Sequence, residues 1–193
     1  NKTITMRYTE EDTLINGDAT ASRTAYGGIT TVIGNEFSGL RKLITQSSNL
    51  AGAAIDIPSV RTMVRTARTA NDSTTLGQGN PNLIVTDFTT FDAMKGLMMD
   101  YQRFVDKSRL LEFGIQSFSF DGLDVIPSKF MPTTATQREM LALSTETLQM
   151  RVLQDITYEE LAKTNDSYKF MLKLYEAMIC TVPEFNAKII NIA

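Results

Sequence analysis

A short run of branched apolar residues followed at once by a helical pattern constrains the fold more than any other feature of the sequence. The run is Leu83–Thr86, which is typical of a buried strand. Either Asp87 or Thr89 can cap the helix that follows. The apolar face of that helix carries Phe91, Met94, Met98 and Tyr101. A strand that leads within a few residues into a helix is an α/β element, so we expect a sheet packed against helices.

A second helix is predicted over Asp56–Asn71. Its apolar residues recur at helical spacing, and Pro58 lies in the first turn, where the missing N–H donor is harmless. A basic stripe on the other side consists of Arg61, Arg65 and Arg68. Such a stripe is typical of a solvated polar face, and contact with acids of another subunit or with a nucleic acid is the alternative. The methionines Met94, Met98 and Met99 are interpreted as core filler.

Two further regions show strand signals. Ile115–Ile126 predicts a hairpin, because alternating apolar residues flank Asp121-Gly122, a dipeptide favoured in tight turns. Met140–Leu143 and Leu148–Leu153 predict two more strands, and Ile156–Lys163 predicts one helical turn.

The last third of the chain ends in two apolar segments. Apart from Glu176, the even positions from Tyr168 to Val182 are apolar. This period predicts a long strand, although Phe170, Leu174 and Met178 also suit a helix. Pro183 ends this segment, and a final strand is predicted over Phe185–Ile192.

The amino-terminal region gives weaker signals. Thr3–Tyr8 alternates and predicts a short strand or an extended arm, and a helix is expected to begin at Thr9 and to stop at Asn16-Gly17-Asp18. The threonine- and serine-rich tract that follows, up to Ala54, is predicted to be loop with short elements.

The sequence contains no histidine and a single cysteine, Cys180. The usual general base near pH 7 and the commonest metal ligand are therefore missing, and Ser-His-Asp or Cys-His catalysis is excluded. One cysteine forms neither an intrachain disulfide nor a thiolate zinc site, and it is interpreted as an ordinary buried thiol. Gly77-Gln78-Gly79 lacks the third glycine of a dinucleotide fingerprint, and Asn16-Gly17-Asp18 lacks the later ligands of a calcium loop. We predict no catalytic, cofactor-binding or metal-binding residue and no cofactor.

Charge and hydropathy exclude two further classes. The formal net charge is -3, whereas a free-standing nucleic-acid binder is usually strongly basic. No apolar run approaches the roughly 20 residues of a membrane span, so no membrane partner is expected. Glu176 stands out as a carboxylate on an otherwise apolar face, and we expect it at an edge or interface where a neighbour's cation can pair with it.

Three blocks of sequence carry a family resemblance. The first is Leu14–Asp18 followed by Gly27-Gly28-Ile29. The second is Asn82–Thr86, then Phe91–Met94 and Gln102–Phe104. The third is Phe120–Pro127, then Leu141–Ser144 and Tyr168–Ile192. In their order and spacing these blocks resemble the major capsid proteins of tailed bacteriophages, including prophages, whose fold is shared with encapsulin nanocompartments.

The resemblance implies an α+β phage major-capsid fold with a central A domain, in which helices flank a mixed sheet, and a peripheral P domain with long strands. It places residues 56–153 in the A-domain-like part. Residues 1–55 and 154–193 fall in the P-domain-like part, as a remnant of the spine helix plus the terminal strands.

The function implied is that of a non-enzymatic coat protein that self-assembles by symmetric edge contacts into an icosahedral shell around phage DNA. The partners implied are copies of itself in hexamers and pentamers, scaffolding, portal or decoration proteins, and packaged DNA bound without sequence specificity. The location implied is the virion capsid, and the host cytoplasm before assembly.

The chain also departs from the family pattern. Only 15 residues precede the Asn16-Gly17-Asp18 block, so the chain resembles an incomplete subunit without the N-terminal arm and the extended loop. Some family members join a loop lysine to a P-domain asparagine with the help of a glutamate. Asp166 and Lys173 fall near the asparagine and glutamate positions and the lysine-bearing loop is missing, so no cross-linking is predicted.

Two other interpretations stay open from the sequence. An encapsulin-type compartment shell has the same fold and is distinguished by a cargo enzyme rather than by packaged DNA. An unrelated α/β enzyme based on carboxylates requires a large pocket with converging acids.

Overall fold

Helices and strands are mixed along the chain in the computed structural model, which describes residues 2–70, 77–101, 117–164 and 166–193. The helices are α1 (Lys2–Asn16), α2 (Leu40–Leu43), α3 (Ile57–Thr69) and α4 (Phe88–Tyr101). The strands are β1 (Thr24–Ala25), β2 (Ile29–Thr30), β3 (Gln46–Asn49), β4 (Leu83–Thr86), β5 (Phe118–Phe120), β6 (Leu123–Pro127), β7 (Arg138–Leu143), β8 (Leu148–Thr164), β9 (Ser167–Cys180) and β10 (Ala187–Ile192).

The chain divides into two compact units, and each unit is assembled from two separate parts of the sequence. Unit 1 comprises Asn1–Lys42 and Leu148–Ile179. Unit 2 comprises Leu43–Thr147 and Cys180–Ala193. The chain therefore leaves unit 2 through β8 and returns to it at the end of β9.

Unit 2 contains a six-stranded mixed sheet in the order β3-β10-β7-β4-β6-β5. Strand β10 is parallel to β3 and antiparallel to β7, and β4 is parallel to β6 and antiparallel to β7. Strands β5 and β6 form the antiparallel hairpin predicted around Asp121-Gly122. Asp121 and Gly122 both have positive φ, as a tight hairpin turn requires.

Helices α3 and α4 cover one face of this sheet. Because side chains alternate across a strand, Ile84, Val125 and Ala142 point to the same face. These three residues belong to one buried cluster with Val64 of α3 and Met94 of α4. Asp56 caps α3 by accepting a hydrogen bond from the Ser59 N–H at 3.0 Å.

The predictions for unit 2 that were based on local pattern are largely confirmed. Strand β4 has the predicted bounds, and α3 and α4 begin within one residue of the expected caps. Of the three methionines interpreted as core filler, Met94 is buried and Met98 is partly buried. Met99 is exposed, so that part of the prediction is wrong. Asn71, Gln102–Phe104 and Ile115 lie outside the described residues.

Unit 1 is built from α1, the small β1–β2 pair and a two-stranded ribbon of β8 and β9. Only residues 165 and 166 separate β8 from β9, so the strands run antiparallel, because a parallel connection needs about a dozen residues or more. Tyr158 and Phe170 stack across the ribbon with ring centroids 5.6 Å apart.

Two predictions in unit 1 are wrong. Thr3–Tyr8 is the first half of α1 rather than a strand, since Tyr8 packs edge-on against Tyr26 and the helix continues into Thr9. Ile156–Lys163 is part of β8 rather than a helical turn, because cross-strand contacts with β9 outweigh the local preference. The ambiguous segment from Tyr168 is a strand.

The last strand belongs to unit 2. Strand β10 lies inside the six-stranded sheet, between β3 and β7. The physical reason is that Ala187, Ile189 and Ile192 are buried in the core under α3 and α4. Buried strands of this kind give no sequence signal for the sheet they join.

Candidate functional site

A buried ion-pair network anchors the loop that follows α1. Arg23 Nη1 lies 2.6 Å from Asp12 Oδ2, and Arg23 Nε lies 3.0 Å from Glu36 Oε1. Asp12 Oδ2 also accepts a hydrogen bond from the Tyr26 N–H at 2.9 Å. Burial disfavours the guanidinium charge, but the hydrogen bonds and charges of Asp12 and Glu36 outweigh it and raise the pKa of Arg23. Arg23 thus joins Asp12 of α1, which lies 11 positions before it in sequence, to Glu36, which lies 13 positions after it.

The glycine of the Asn16-Gly17-Asp18 block is required by a close approach of two backbone segments. Gly39 N donates to Gly17 O at 2.9 Å. A Cβ at Gly17 would collide with the carbonyl oxygen of Phe37 and lie 2.6 Å from that of Thr13. At this block the backbone of Gly17 therefore packs directly against the backbone of residues 37–39, and the block does not form a calcium loop.

The two-stranded ribbon exposes a large amount of apolar side chain. Its exposed large apolar residues are Met150, Val152, Leu153, Tyr158, Leu161, Tyr168, Phe170, Met171, Tyr175 and Ile179. Leu153 is 88% exposed. Large apolar side chains left exposed in such number on one element are typical of an interaction surface. We call this set of ten side chains the ribbon surface.

The two faces of β9 differ. Over 172–180 the even positions are half-buried, and they include the apolar residues on which the strand prediction rested. The odd face carries Met171, Tyr175 and Ile179, which are exposed. The sequence analysis did not single out these three residues, because the regular apolar pattern that predicts the strand lies on the even face.

An open groove of about 1030 Å³ runs between α1, residues 34–37 and the ribbon, all within unit 1. Met6 and Thr9 of α1, Phe37, and Val152 and Leu174 of the ribbon line it. The groove is mixed in character, because Glu10, Glu36, Arg151 and Glu176 also line it. Its acids do not resemble a catalytic carboxylate pair in an enclosed site.

Glu176, the unusual carboxylate of the sequence analysis, lies in this groove on β9. Burial raises its pKa to about 7, aided by the charge of the neighbouring Glu10 and a hydrogen bond with it, and opposed by Arg7. Glu176 lines this groove together with residues of α1 of its own chain, whereas the sequence predicts an edge or an interface for it.

The basic stripe lies on the exposed side of α3, as predicted. Arg68 Nη1 lies 3.2 Å from Asp121 Oδ2, so one of the three cations is paired within the chain. Arg61 and Arg65 are exposed.

The remaining residues that were singled out show no reactive arrangement. Lys173 forms an ion pair with Glu159 across the ribbon, and Asp166 has φ 48° in the turn between the strands. Cys180 is half-buried, and burial raises the pKa of its thiol, so the thiolate is disfavoured. In the described part of the chain, no group of three or more His, Cys, Asp or Glu residues is arranged to hold a metal ion. None of the helices described is both long and apolar enough to span a membrane.

Comparison with known families decides what kind of protein carries these surfaces. The family model described as SU10 major capsid protein matches residues 1–193. The chain belongs to this family. The resemblance to phage major capsid proteins inferred from the three sequence blocks is therefore confirmed, while no curated protein sequence matches the chain.

Solved structures place this SU10-family chain in the capsid fold shared with encapsulins. The holo-SrpI encapsulin complex from Synechococcus elongatus PCC 7942 matches 97% of the chain with a TM-score of 0.69 at 13% identity. The capsid of an empty GTA particle matches 100% of it with a TM-score of 0.59 at 12% identity. Gordonia phage Cozz matches 99% of it with a TM-score of 0.58 at 13% identity.

The chain spans 61%, 65% and 61% of these three chains, respectively. At such low identity the likeness establishes the fold alone. The predicted α+β capsid fold, with a mixed sheet and several helices, is confirmed. Membership of the capsid-protein family points to a structural, non-enzymatic role.

Proposed function

We propose that this chain is the shell-forming part of a phage major capsid protein, which assembles with copies of itself into an icosahedral shell around phage DNA. The observation that carries the proposal is the capsid-family match over residues 1–193. The exposed ribbon surface supports it, because a shell subunit works through repeated complementary contacts and needs no reactive group.

In this proposal the two units correspond to the two domains of the capsid fold. Unit 2, with its helices on a mixed sheet, takes the role of the central A domain, and unit 1, with its helix and long ribbon, that of the peripheral P domain. The contacts formed in hexamers and pentamers then include the ribbon surface. Scaffolding, portal or decoration proteins, and assembly in the host cytoplasm before incorporation into the virion, belong to the same proposal.

Enclosure of DNA in this proposal requires no strong binding site for it. Each DNA phosphate that a protein cation neutralises adds affinity for DNA. The net charge of -3 therefore supports an inner shell surface that binds packaged DNA weakly and lets it slide. The proposed subunit has no catalytic residue, cofactor or metal.

The test of this function is electron microscopy of the complete gene product that contains the chain. Closed particles of uniform size are expected. The variant Leu153→Asp places a charge at the most exposed apolar position of the ribbon surface and should reduce particle yield at least tenfold, whereas Leu153→Met should assemble normally. Circular dichroism of both variants checks that the subunit still folds. Normal particle yield for Leu153→Asp would remove the ribbon surface from the proposal.

The basic stripe of α3 has its own test in the same assay. The double variant Arg61→Glu and Arg65→Glu reverses the charge of the two exposed cations and leaves the Arg68–Asp121 pair intact. Reduced particle yield is expected if these cations meet acids of a neighbouring subunit. Unchanged particle yield would show that Arg61 and Arg65 form a solvated surface rather than a subunit contact.

An encapsulin-type shell is a second candidate, and the encapsulin match with a TM-score of 0.69 favours it. The contents of purified particles separate the two functions. Nuclease-protected DNA supports the capsid, and a co-purified cargo protein with no DNA supports the compartment.

A further inference from the structure

The two-stranded ribbon of unit 1 has two open edges. Within the described residues β8 and β9 pair only with each other, so each strand has one edge of backbone N–H and C=O groups without a strand partner. The strands are 17 and 14 residues long, whereas the edge strands of unit 2, β3 and β5, have 4 and 3 residues. Residues 148–180 also contain no proline. The ribbon therefore lacks two of the devices that keep edge strands unpaired.

Opposite charges lie side by side in the half of the ribbon next to its turn. From Asp155 to Glu160, β8 carries three acids and no cation. From Tyr168 to Leu174, β9 carries two lysines and no acid. The ion pair of Glu159 with Lys173 shows that these two stretches are neighbours within one chain. An acid-bearing strand beside a lysine-bearing strand is thus already formed once inside every subunit.

Charged side chains in this half of the ribbon are available to partners outside the chain. The side chains of residues 157–162 and 168–171 are all exposed. Within the described part of the chain, no ion pair involves Glu160 of β8 or Lys169 of β9.

We propose that β8 of one subunit pairs edge to edge with β9 of the next subunit, and that this contact repeats around a ring of copies. The acids of 155–160 then lie beside the lysines of the neighbour's 168–174, as they do within the subunit. The ribbons of adjacent copies form one continuous sheet. This inference rests on the proposed function and names which surfaces of neighbouring copies meet.

Charge distinguishes this arrangement from a symmetric one. In a two-fold contact each strand meets its own copy, so β8 brings its acids against acids, or β9 its lysines against lysines. Like charges opposite each other destabilise a strand pair. Pairing of β8 with β9 places acids beside lysines instead. Such a head-to-tail contact uses different surfaces of the two subunits, so it continues from copy to copy and can close into a ring.

The exposed apolar side chains of the ribbon gain from the same contact. Directly opposite side chains of paired strands lie about 4.5–5.5 Å apart at their Cβ atoms. Leu161 and Met171 belong to the ribbon surface and lie in the same half of the ribbon as the charges. Pairing therefore brings apolar side chains of adjacent copies together. An isolated two-stranded ribbon is at best marginally stable, so the added strands also stabilise the ribbon itself.

The first test is zero-length cross-linking of particles assembled from a mixture of ¹⁴N- and ¹⁵N-labelled complete gene product. A carbodiimide joins a lysine amine to a carboxylate only where the two are in contact. Cross-links within one chain carry a single label, whereas cross-links between chains include peptide pairs with both labels. Lys169 is expected to be joined to Glu159 or Glu160 in pairs that carry both labels. Absence of such pairs would overturn the pairing, as would mixed-label pairs that join Lys169 only to acids outside β8.

The same cross-linking separates a failed contact from a failed function. Closed particles without this cross-link retain the proposed function and refute the ribbon pairing. If no particles form, the proposed function fails, and cross-linking of the soluble chain tests the pairing by itself. Mixed-label pairs between Lys169 and the acids of residues 155–160 then support the pairing, and their absence refutes it.

A charge reversal tests the contact through particle yield. Lys169→Glu places an acid beside the acidic stretch of the neighbouring β8 and should lower the yield about tenfold, because the repulsion is repeated at every contact of the ring. Lys169→Arg keeps the charge, and Lys95→Glu makes the same reversal at an exposed site on α4, so both should assemble normally. Circular dichroism of each variant checks that the subunit folds.

Three results of the charge reversal would contradict the pairing. An unchanged yield for Lys169→Glu would show that this lysine meets no acid of a neighbour. An increased yield would indicate a two-fold contact between β9 strands. An equal loss of yield in Lys95→Glu would attribute the effect to overall charge rather than to the ribbon.

Discussion

Replacing Arg23 by methionine should be among the most damaging single changes to unit 1. The Arg23 side chain is 17% exposed, and its partners Asp12 and Glu36 are 10% and 6% exposed. Methionine preserves much of the apolar stem but leaves two buried carboxylates without their cation. Removing one partner of a buried ion pair typically costs about 3–5 kcal/mol. Glu36 Oε2 is already buried without a hydrogen-bond partner among the described residues, so little compensation is available.

Urea unfolding of Arg23→Met measures this loss. With a slope of about 2 kcal/mol per molar urea, a loss of about 3–5 kcal/mol lowers the unfolding midpoint by about 1.5–2.5 M. The chain has no tryptophan, so tyrosine fluorescence is a suitable probe, and Tyr8 and Tyr26 pack 5.4 Å apart beside the network.

The matched control is Arg68→Met, which breaks an exposed pair with side chains 43% and 50% exposed. Exposed pairs contribute about 0–1 kcal/mol. If Arg23→Met is no more destabilising than Arg68→Met, the network does not anchor the loop that follows α1.

Three further predictions concern packing, backbone and chemistry. Met94→Ala removes a side chain that is 1% exposed and should destabilise unit 2 by about 2–5 kcal/mol in thermal or urea unfolding. The control Met99→Ala, in the same helix, removes a side chain that is 71% exposed and should change the stability by under about 0.5 kcal/mol. Gly17→Ala should cost about 1–3 kcal/mol, because the added methyl group collides with backbone oxygens, and a neutral result in the same assay would contradict the crossing described here. Denaturing gels of assembled full-length protein should show monomers only, since Asp166 and Lys173 fall near the positions where cross-linking family members have asparagine and glutamate, and an isopeptide-linked ladder would refute this.

The parts of the fold that could be predicted from sequence are those governed by local pattern. Strand β4 and helices α3 and α4 followed from apolar periodicity and capping residues, and the β5–β6 hairpin followed from Asp121-Gly122. Each of these sequence signals involves residues that lie close together in the sequence. The predictions based on them are correct because the tertiary packing of unit 2 favours the same structure as the local preference.

The parts that could not be predicted depend on partners far away in sequence. Arg23 lies in a small, polar tract with no period, and nothing in its neighbourhood marks Asp12 and Glu36 as partners. Glu176 stands out in the sequence as a carboxylate on an apolar face, but the groove that it lines together with Glu10 brings together residues 166 positions apart. Residues 156–163 extend β8 because β9 lies beside them, which is long-range information.

The position of β10 has a consequence for the order in which the molecule can form. This strand sits between β3 and β7, and its partners in β3 precede it by about 140 residues. Until β10 has been synthesised and inserted, the six-stranded sheet is split in two, and the core beneath α3 and α4 stays open. Contacts of such long range slow folding. Strands β8 and β9 precede β10 in sequence, so the ribbon is synthesised before the sheet of unit 2 can be completed. Its exposed apolar side chains are therefore present while unit 2 is still incompletely folded.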